Sequence, residues 1–164
     1  MNYRIIEKNE FYIVGFKKRI TMKFKGINPQ MDSIVEKLTP QVIAELKGLS
    51  DVEPKGILSV SANFEERTTE DSQLDQYIGV AASKAGSSGY DILPIAASTW
   101  AVFNVVGIFP DAIQETWSKI YAEWFPASGY EMTGGPELLW NESPDTSRTD
   151  YKSEIWIPVR RIEF

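Results

Sequence analysis

The last apolar segment of the chain carries a carboxylate two residues before an indole. Side chains alternate across a β-strand, so Glu154 and Trp156 share one face. The other face carries the apolar residues Ile155, Ile157 and Val159. A carboxylate beside an indole could hold an organic cation, since it offers a counter-charge and a π face worth roughly 0.5–2 kcal/mol. The alternative is an exposed Glu beside a Trp that only covers the sheet, and spacing alone leaves both open.

Composition excludes several kinds of catalytic and metal site. The chain has no Cys and no His, which removes zinc fingers, Cys/His and Ser/His/Asp machinery and 2-His-1-carboxylate iron sites. Oxygen ligands for Ca²⁺ or Mg²⁺ remain, without the spacing of an EF-hand loop. We therefore assign no catalytic residue and expect neither a metal nor a cofactor.

The charge and the hydropathy pattern limit the partners. A net charge of −6 argues against direct nucleic acid binding, which needs a basic surface. Residues 1–6 lack the apolar core of a signal peptide, and no apolar run approaches the roughly 20 residues that span a bilayer. We expect a cytoplasmic protein that does not enter a membrane.

The first half of the sequence predicts two hairpins. Tyr3–Ile6 and Phe11–Phe16 are short apolar segments joined by the polar tetrapeptide Glu7–Glu10. Gly56–Phe64 and Gln76–Ser83 are rich in β-branched and aromatic residues and predict the second hairpin.

A helical segment is predicted between these hairpins. Asn28 is its candidate N-cap, Pro29 suits the first helical position and Gly48 suits the residue after its end. Pro40 interrupts the apolar periodicity. Either Thr39 caps a second short helix or one helix kinks there.

The second half repeats this order. Tyr90–Ile95 and Trp100–Val106 predict two strands, a strongly amphipathic helix starts at Pro110, and Pro136–Glu142 and Lys152–Arg160 predict two more strands.

This repeat predicts the fold class. The helix-opening prolines Pro29 and Pro110 are 81 positions apart, close to half of the 164 residues. We expect an α+β fold in which a tandem strand-helix-strand-strand repeat forms one mostly antiparallel sheet, with two main helices on one face and a central cleft. Residues 1–164 then make one domain of two pseudo-symmetric halves, about 1–84 and 90–164, joined at the small-residue segment 85–89.

Several motifs follow one another in the second half of the sequence. They are Trp100-Ala101-Val102-Phe103, Trp117, Trp124-Phe125-Pro126, Ser128-Gly129-Tyr130-Glu131, Gly135-Pro136 and Glu154-Ile155-Trp156-Ile157-Pro158-Val159. In this order they resemble a known family, the GyrI-like effector-binding domain, which is found at the C-terminus of AraC-type and MerR-type regulators and in stand-alone proteins. The resemblance implies two repeat units with a central cleft that binds hydrophobic, often cationic compounds. It also implies that Glu154 faces the ligand and that Trp156 stacks on it. Trp100 stands where the family usually has Tyr, and it either lines the pocket or packs in the core.

The chain departs from the family in the strand after Gly-Pro. Many members carry a second Glu there and an aromatic residue two positions later, and here Leu139 and Asn141 occupy those ligand-facing positions. Trp140 and Glu142 lie one residue off, on the opposite face unless a bulge intervenes. We expect a roomier and more apolar cleft that depends on a single carboxylate.

The resemblance favours non-enzymatic binding of hydrophobic or cationic amphipathic small molecules. Because the domain starts within a few residues of Met1, we expect a stand-alone sensor or sequestering protein, although a domain cut from a longer regulator remains open. One alternative is a hydrolase of strained electrophiles that uses Glu154, so enzymatic activity stays undecided. The other is a protein partner role, such as modulation of DNA gyrase.

Overall fold

The computed structural model describes residues 1–23, 28–67, 69–86 and 89–163. Within these ranges nine strands form one sheet: β1 (Tyr3–Lys8), β2 (Phe11–Thr21), β3 (Leu58–Ala62), β4 (Gln73–Ala82), β5 (Asp91–Ile95), β6 (Ser98–Val106), β7 (Tyr130–Met132), β8 (Glu137–Asn141) and β9 (Lys152–Arg161). The helices are α1 (Asp32–Val35), α2 (Pro40–Leu49), α3 (Asp111–Lys119) and α4 (Phe125–Ser128). A π-helical turn, Ile120–Trp124, joins α3 to α4. The predicted α+β class is confirmed.

The strands follow the order β1-β6-β9-β8-β3-β4-β2-β5, and β7 pairs with the end of β9. Every pairing is antiparallel. The predicted hairpin of β3 and β4 is confirmed. The predicted pairing of β1 with β2 is wrong, because β1 pairs with β6 while β4 and β5 occupy both edges of β2.

The strand order is symmetric about the contact between β3 and β8. Each half contributes a three-stranded group, β2-β4-β3 or β6-β9-β8, and gives its first strand to the other half. Thus β1 extends the sheet beside β6, and β5 extends it beside β2. The two halves are interleaved at both edges as well as joined at the centre. Residues 87 and 88 of the predicted joint lie outside the described ranges.

The helical segment of the first half is two helices. The Asn28 side chain accepts a hydrogen bond from the backbone N–H of Gln30 at 3.0 Å and caps a short 3-10 turn that leads into α1. Thr39 then accepts from the backbone N–H of Val42 at 3.2 Å and caps α2. This local cap favours a new helix over a kink. The sequence had suggested that Gly48 follows the end of the helix. This prediction is wrong, because Gly48 lies inside α2.

Both main helices pack on one face of the sheet. Leu46 of α2 packs with Val14 and Val80 in one buried cluster. Ile113 of α3 packs in a second cluster with Ile155 and other residues of β6 and β9. The predicted helix-facing side of β9, Ile155, Ile157 and Val159, is confirmed.

The opposite face of the sheet is strongly curved. Five steps in the strand order separate β6 from β2, which would span about 24 Å in a flat sheet. The ring centroids of Phe11 on β2 and Trp100 on β6 nevertheless lie 6.2 Å apart. This face, called the concave face below, is lined by the buried side chains of Phe11, Ile13, Leu58, Val60, Ala62, Tyr77, Ala81, Ile95, Trp100, Val102, Leu138 and Trp156.

A pair of glycines lets two strands approach closely. Gly15 of β2 lies opposite Gly79 of β4. A Cβ atom built on Gly79 would lie only 2.3 Å from the carbonyl oxygen of Val14, and one on Gly15 would lie 2.1 Å from that of Ile78. Larger residues would force these strands apart, so the glycines help the sheet to curve.

Candidate functional site

Glu154 and Trp156 lie in direct contact at the concave face. The Trp156 Nε1–H donates to Glu154 Oε1 at 3.1 Å. The indole is 1% exposed, whereas 22% of the Glu154 side chain remains exposed. The carboxylate is therefore at the margin of the buried face, where charge can meet both solvent and an aromatic ring.

The second carboxylate oxygen of Glu154 already has a cationic partner. Arg4 of β1 donates from Nη1 to Glu154 Oε2 at 3.3 Å. The Arg4 Cζ atom also lies 5.9 Å from the centroid of the Trp156 ring. The carboxylate and the indole thus bind a cation, and that cation belongs to the chain itself.

A second cation of β1, Lys8, lies against the rings of Phe11 and Trp156. The ammonium nitrogen of Lys8 lies 5.0 Å from the centroid of Phe11 and 6.0 Å from that of Trp156. Burial lowers the pKa of Lys8, and the charge of Glu53 partly opposes this effect. Such distances are within the range of cation–π attraction.

Trp100 lies in the interior of the concave face. Its ring is 0% exposed and meets Trp156 in a T-shaped contact with centroids 6.1 Å apart. Its Nε1–H has no hydrogen-bond partner within the described residues. A buried donor without a partner costs about 1–3 kcal/mol.

The structure separates Leu139 and Asn141 from the other expected ligand-facing residues. β8 pairs with β9 in a regular register, with Leu139 opposite Ile155 and Asn141 opposite Ser153. Leu139 therefore packs against the helix-side cluster, and Asn141 Oδ1 accepts from the Ser153 hydroxyl at 2.6 Å. The expectation that they share a cleft with Glu154 does not match this alternation of side chains.

Trp140 lies on the concave face in their place. It stands opposite Glu154 across β8 and β9 and packs, half-buried, against the concave-face cluster. The expected roomier cleft is also not what the structure has, because bulky rings such as Trp100 and Trp156 fill this face and are almost fully buried.

A buried carboxylate that the sequence reading missed lies on the helix side. Glu137, only 1% exposed, accepts hydrogen bonds from Trp117 Nε1–H and from the Tyr121 hydroxyl, each at 2.6 Å. Arg67, from the segment between β3 and β4, makes an ion pair with Glu137 and also donates to the Gly135 carbonyl at 3.1 Å. The only signal in the sequence was an acidic residue directly after Gly135-Pro136.

The charges within this cluster compensate each other, because the Arg67 guanidinium pairs with the Glu137 carboxylate. Burial raises the pKa of Tyr121 to about 12, although the charge of Arg67 acts in the opposite direction. Burial also lowers the pKa of Arg67. Among the described residues the partners of Glu137 are all donors, so its carboxylate has little capacity left for a ligand. Because Arg67 belongs to the first half of the chain and Glu137 to the second, their ion pair also joins the two halves.

A surface depression opens beside Lys8. It has a volume of about 720 Å³ and is lined by Glu7, Lys8, Asn9, Ala97, Ser98, Thr99, Thr133, Val159 and Arg160. The Lys8 side chain thus lies between the concave-face rings and open space.

The described residues contain no cluster of three or more acidic side chains that could hold a metal ion. None of the helices in the described part of the chain has the length and apolar character needed to cross a bilayer.

Comparison with known proteins identifies the family. Residues 1–160 match the model of the GyrI-like small molecule binding domain. The chain belongs to this family. A relative from Erwinia billingiae that is named DNA gyrase inhibitor is 24% identical, over 99% of this chain and 100% of its own length.

Solved structures share the GyrI-like fold. SAV2435, determined bound to tetraphenylphosphonium, superposes with a TM-score of 0.73 at 22% identity, over 98% of this chain and 94% of that one. A putative transcription regulation protein from Staphylococcus aureus has a TM-score of 0.67 at 24% identity, over 98% and 99% of the two chains. At this level of identity the likeness concerns the fold.

Proposed function

We propose that this GyrI-like domain binds hydrophobic organic cations at the concave face, with Glu154 as counter-charge and Trp156 as the aromatic surface, and does not convert them chemically. In this role it acts as a cytoplasmic sensor or buffer of such compounds. The observation that carries the proposal is the contact between this carboxylate and indole, against which two cations of the chain already lie.

Three terms of the binding free energy support a lipophilic cation. Transfer of apolar surface from water contributes roughly 25 cal/mol per Å². A cation over an indole adds roughly 0.5–2 kcal/mol, and an ion pair at a partly exposed carboxylate adds about 1 kcal/mol or less. Tetraphenylphosphonium combines these properties, and the fold relative SAV2435 is bound to it.

Binding requires side chains at the concave face to move. Trp100 and Trp156 are buried, so a guest reaches them only when the groups that cover them withdraw. Among the described residues the Nε1–H of Trp100 has no partner, so it remains able to donate to a guest that reaches the ring. We therefore keep Trp100 as a proposed lining residue.

Titration with tetraphenylphosphonium, followed by tryptophan fluorescence and calorimetry, tests the proposal. We expect saturable binding, and we expect Glu154→Gln to raise the Kd about two- to fivefold, since it removes the charge of a partly exposed ion pair and keeps the shape. Glu131→Gln is the matched control, because Glu131 makes an exposed ion pair with Arg160. Absence of binding, or equal Kd values for the parent and Glu154→Gln, would overturn the proposal.

A protein partner role is a second candidate, favoured by the full-length similarity to a DNA gyrase inhibitor. Purified gyrase should then lose supercoiling activity in the presence of this domain. Turnover of strained electrophiles has less support, because Arg4 and Trp156 engage both oxygens of Glu154.

A further inference from the structure

The proposed cation site is already occupied by groups of β1. Glu154 Oε1 accepts from Trp156, and Glu154 Oε2 accepts from Arg4. A ligand that pairs with this carboxylate must therefore replace Arg4 or share the charge with it. The charge of Glu154 is thus already paired within the chain, which the sequence alone did not indicate.

The aromatic half of the site is covered in the same way. Arg4 and Lys8 lie 5.9 and 6.0 Å from the centroid of Trp156, and Trp100 contacts the same indole. Arg4 and Lys8 project to one side of β1 because their positions differ by an even number. One strand therefore supplies both cations that meet the indole.

These two side chains have room to leave. β1 is at the edge of the sheet and pairs with β6 along its whole length, so its backbone can stay in place. The Arg4 side chain is 44% exposed and can turn into solvent. Lys8 borders the depression of about 720 Å³.

We propose that Arg4 and Lys8 are built-in competitors for the cation site, and that a cationic ligand binds by displacing them from Glu154 and Trp156. The inference rests on the proposed function and adds a selectivity rule to it. Small cations with little apolar surface do not displace Arg4 and Lys8. Large aromatic cations do, because they gain apolar contact that Arg4 lacks.

A pair of ligands with the same shape and opposite charge tests this inference. Tetraphenylphosphonium and tetraphenylborate are titrated into the parent and into Arg4→Gln, with affinities measured by calorimetry. We expect Arg4→Gln to lower the Kd of the phosphonium about two- to fivefold, the range set by a partly exposed ion pair. The same change should raise the Kd of the borate. General loosening of the structure would shift both affinities in one direction.

Arg19→Gln is the matched control. Arg19 pairs with Asp75 at 3.3 Å and is 41% exposed, which closely matches the geometry of Arg4 and Glu154. Because the two substitutions change net charge equally, a long-range effect of charge would appear in both. We expect the opposite shifts for the two ligands to be confined to Arg4→Gln.

A second measurement follows Lys8 directly. Its terminal methylene protons should show ring-current shifts from Phe11 and Trp156, and these shifts should move towards free-lysine values as the phosphonium binds.

The outcomes separate the two proposals. If the parent binds the phosphonium in a Glu154-dependent manner but Arg4→Gln gains no affinity, the displacement inference is overturned and the proposed function stands. If neither the parent nor Arg4→Gln binds it, both are overturned.

Discussion

At the residue scale, the candidate site depends on one strand, β9, and on one partner that is distant in sequence. Glu154 and Trp156 meet because residues two apart on a strand share a face, and this much follows from the sequence. Arg4 lies 150 positions away along the chain. No local pattern encodes that contact, so only the fold could reveal that the carboxylate is paired.

The misplacement of Leu139 and Asn141 has a related cause. Their expected role came from matching family positions, whereas the pairing of β8 with β9 decides which residues share the concave face with Glu154. Alternation of side chains along β8 puts Leu139 and Asn141 on the face opposite Trp140. Because Trp140 packs on the concave face, Leu139 and Asn141 lie on the helix side.

Glu137 provides a stability prediction at this scale. Glu137→Gln leaves the charge of Arg67 without its buried partner, and breaking a buried ion pair costs about 3–5 kcal/mol. We expect a loss near the lower end of this range in the free energy of unfolding in urea, because the amide oxygen can still accept one hydrogen bond. Glu131→Gln, at an exposed pair, should cost less than about 1 kcal/mol. Equal losses would contradict the structural role of Glu137.

At the element scale, local composition predicted most strands and poorly predicted their partners. β1 and β2 were recognised as strands, yet β1 pairs with β6 and not with its neighbour in sequence. The two residues between them, Asn9 and Glu10, lack the Asn-Gly or Asp-Gly pattern that favours a two-residue hairpin turn. Long-range pairing therefore prevails over proximity in the chain.

The start of α2 illustrates a local signal that decides structure. Thr39→Ala removes the oxygen that accepts from the Val42 N–H, and we expect it to lower the free energy of unfolding by about 1 kcal/mol. Thr39→Ser keeps this oxygen and should restore most of the loss. Chemical denaturation of the three proteins makes the comparison, and a Ser variant as unstable as the Ala variant would contradict the capping role.

At the scale of the whole molecule, the internal repeat was readable from the spacing of its helices, but the exchange of first strands was not. The order and spacing of the predicted elements indicate where each repeat unit lies. The exchange of β1 and β5 depends instead on which strand edges remain free once β2 and β6 have paired within their own halves. The exchange also carries Arg4 and Lys8 from the first half to the site of the second half.

Interleaving predicts cooperative unfolding. All five tryptophans lie in the second half, at positions 100, 117, 124, 140 and 156, so their fluorescence reports that half, while far-ultraviolet circular dichroism reports the whole chain. We expect the two signals to change at the same urea concentration, because neither half keeps its sheet without the other. Separate midpoints would show that the halves are independent domains.

The most direct test of the cation site is a ¹H–¹⁵N spectrum of the indole N–H groups during titration with tetraphenylphosphonium. Two signals should shift in proportion to occupancy: that of Trp156, which is bonded to Glu154, and that of Trp100, whose N–H has no partner in the described part of the chain. The signal of Trp117, bonded to Glu137 on the helix side, should remain in place. Shifts confined to Trp117, with Trp100 and Trp156 unchanged at saturation, would contradict a cation site at the concave face.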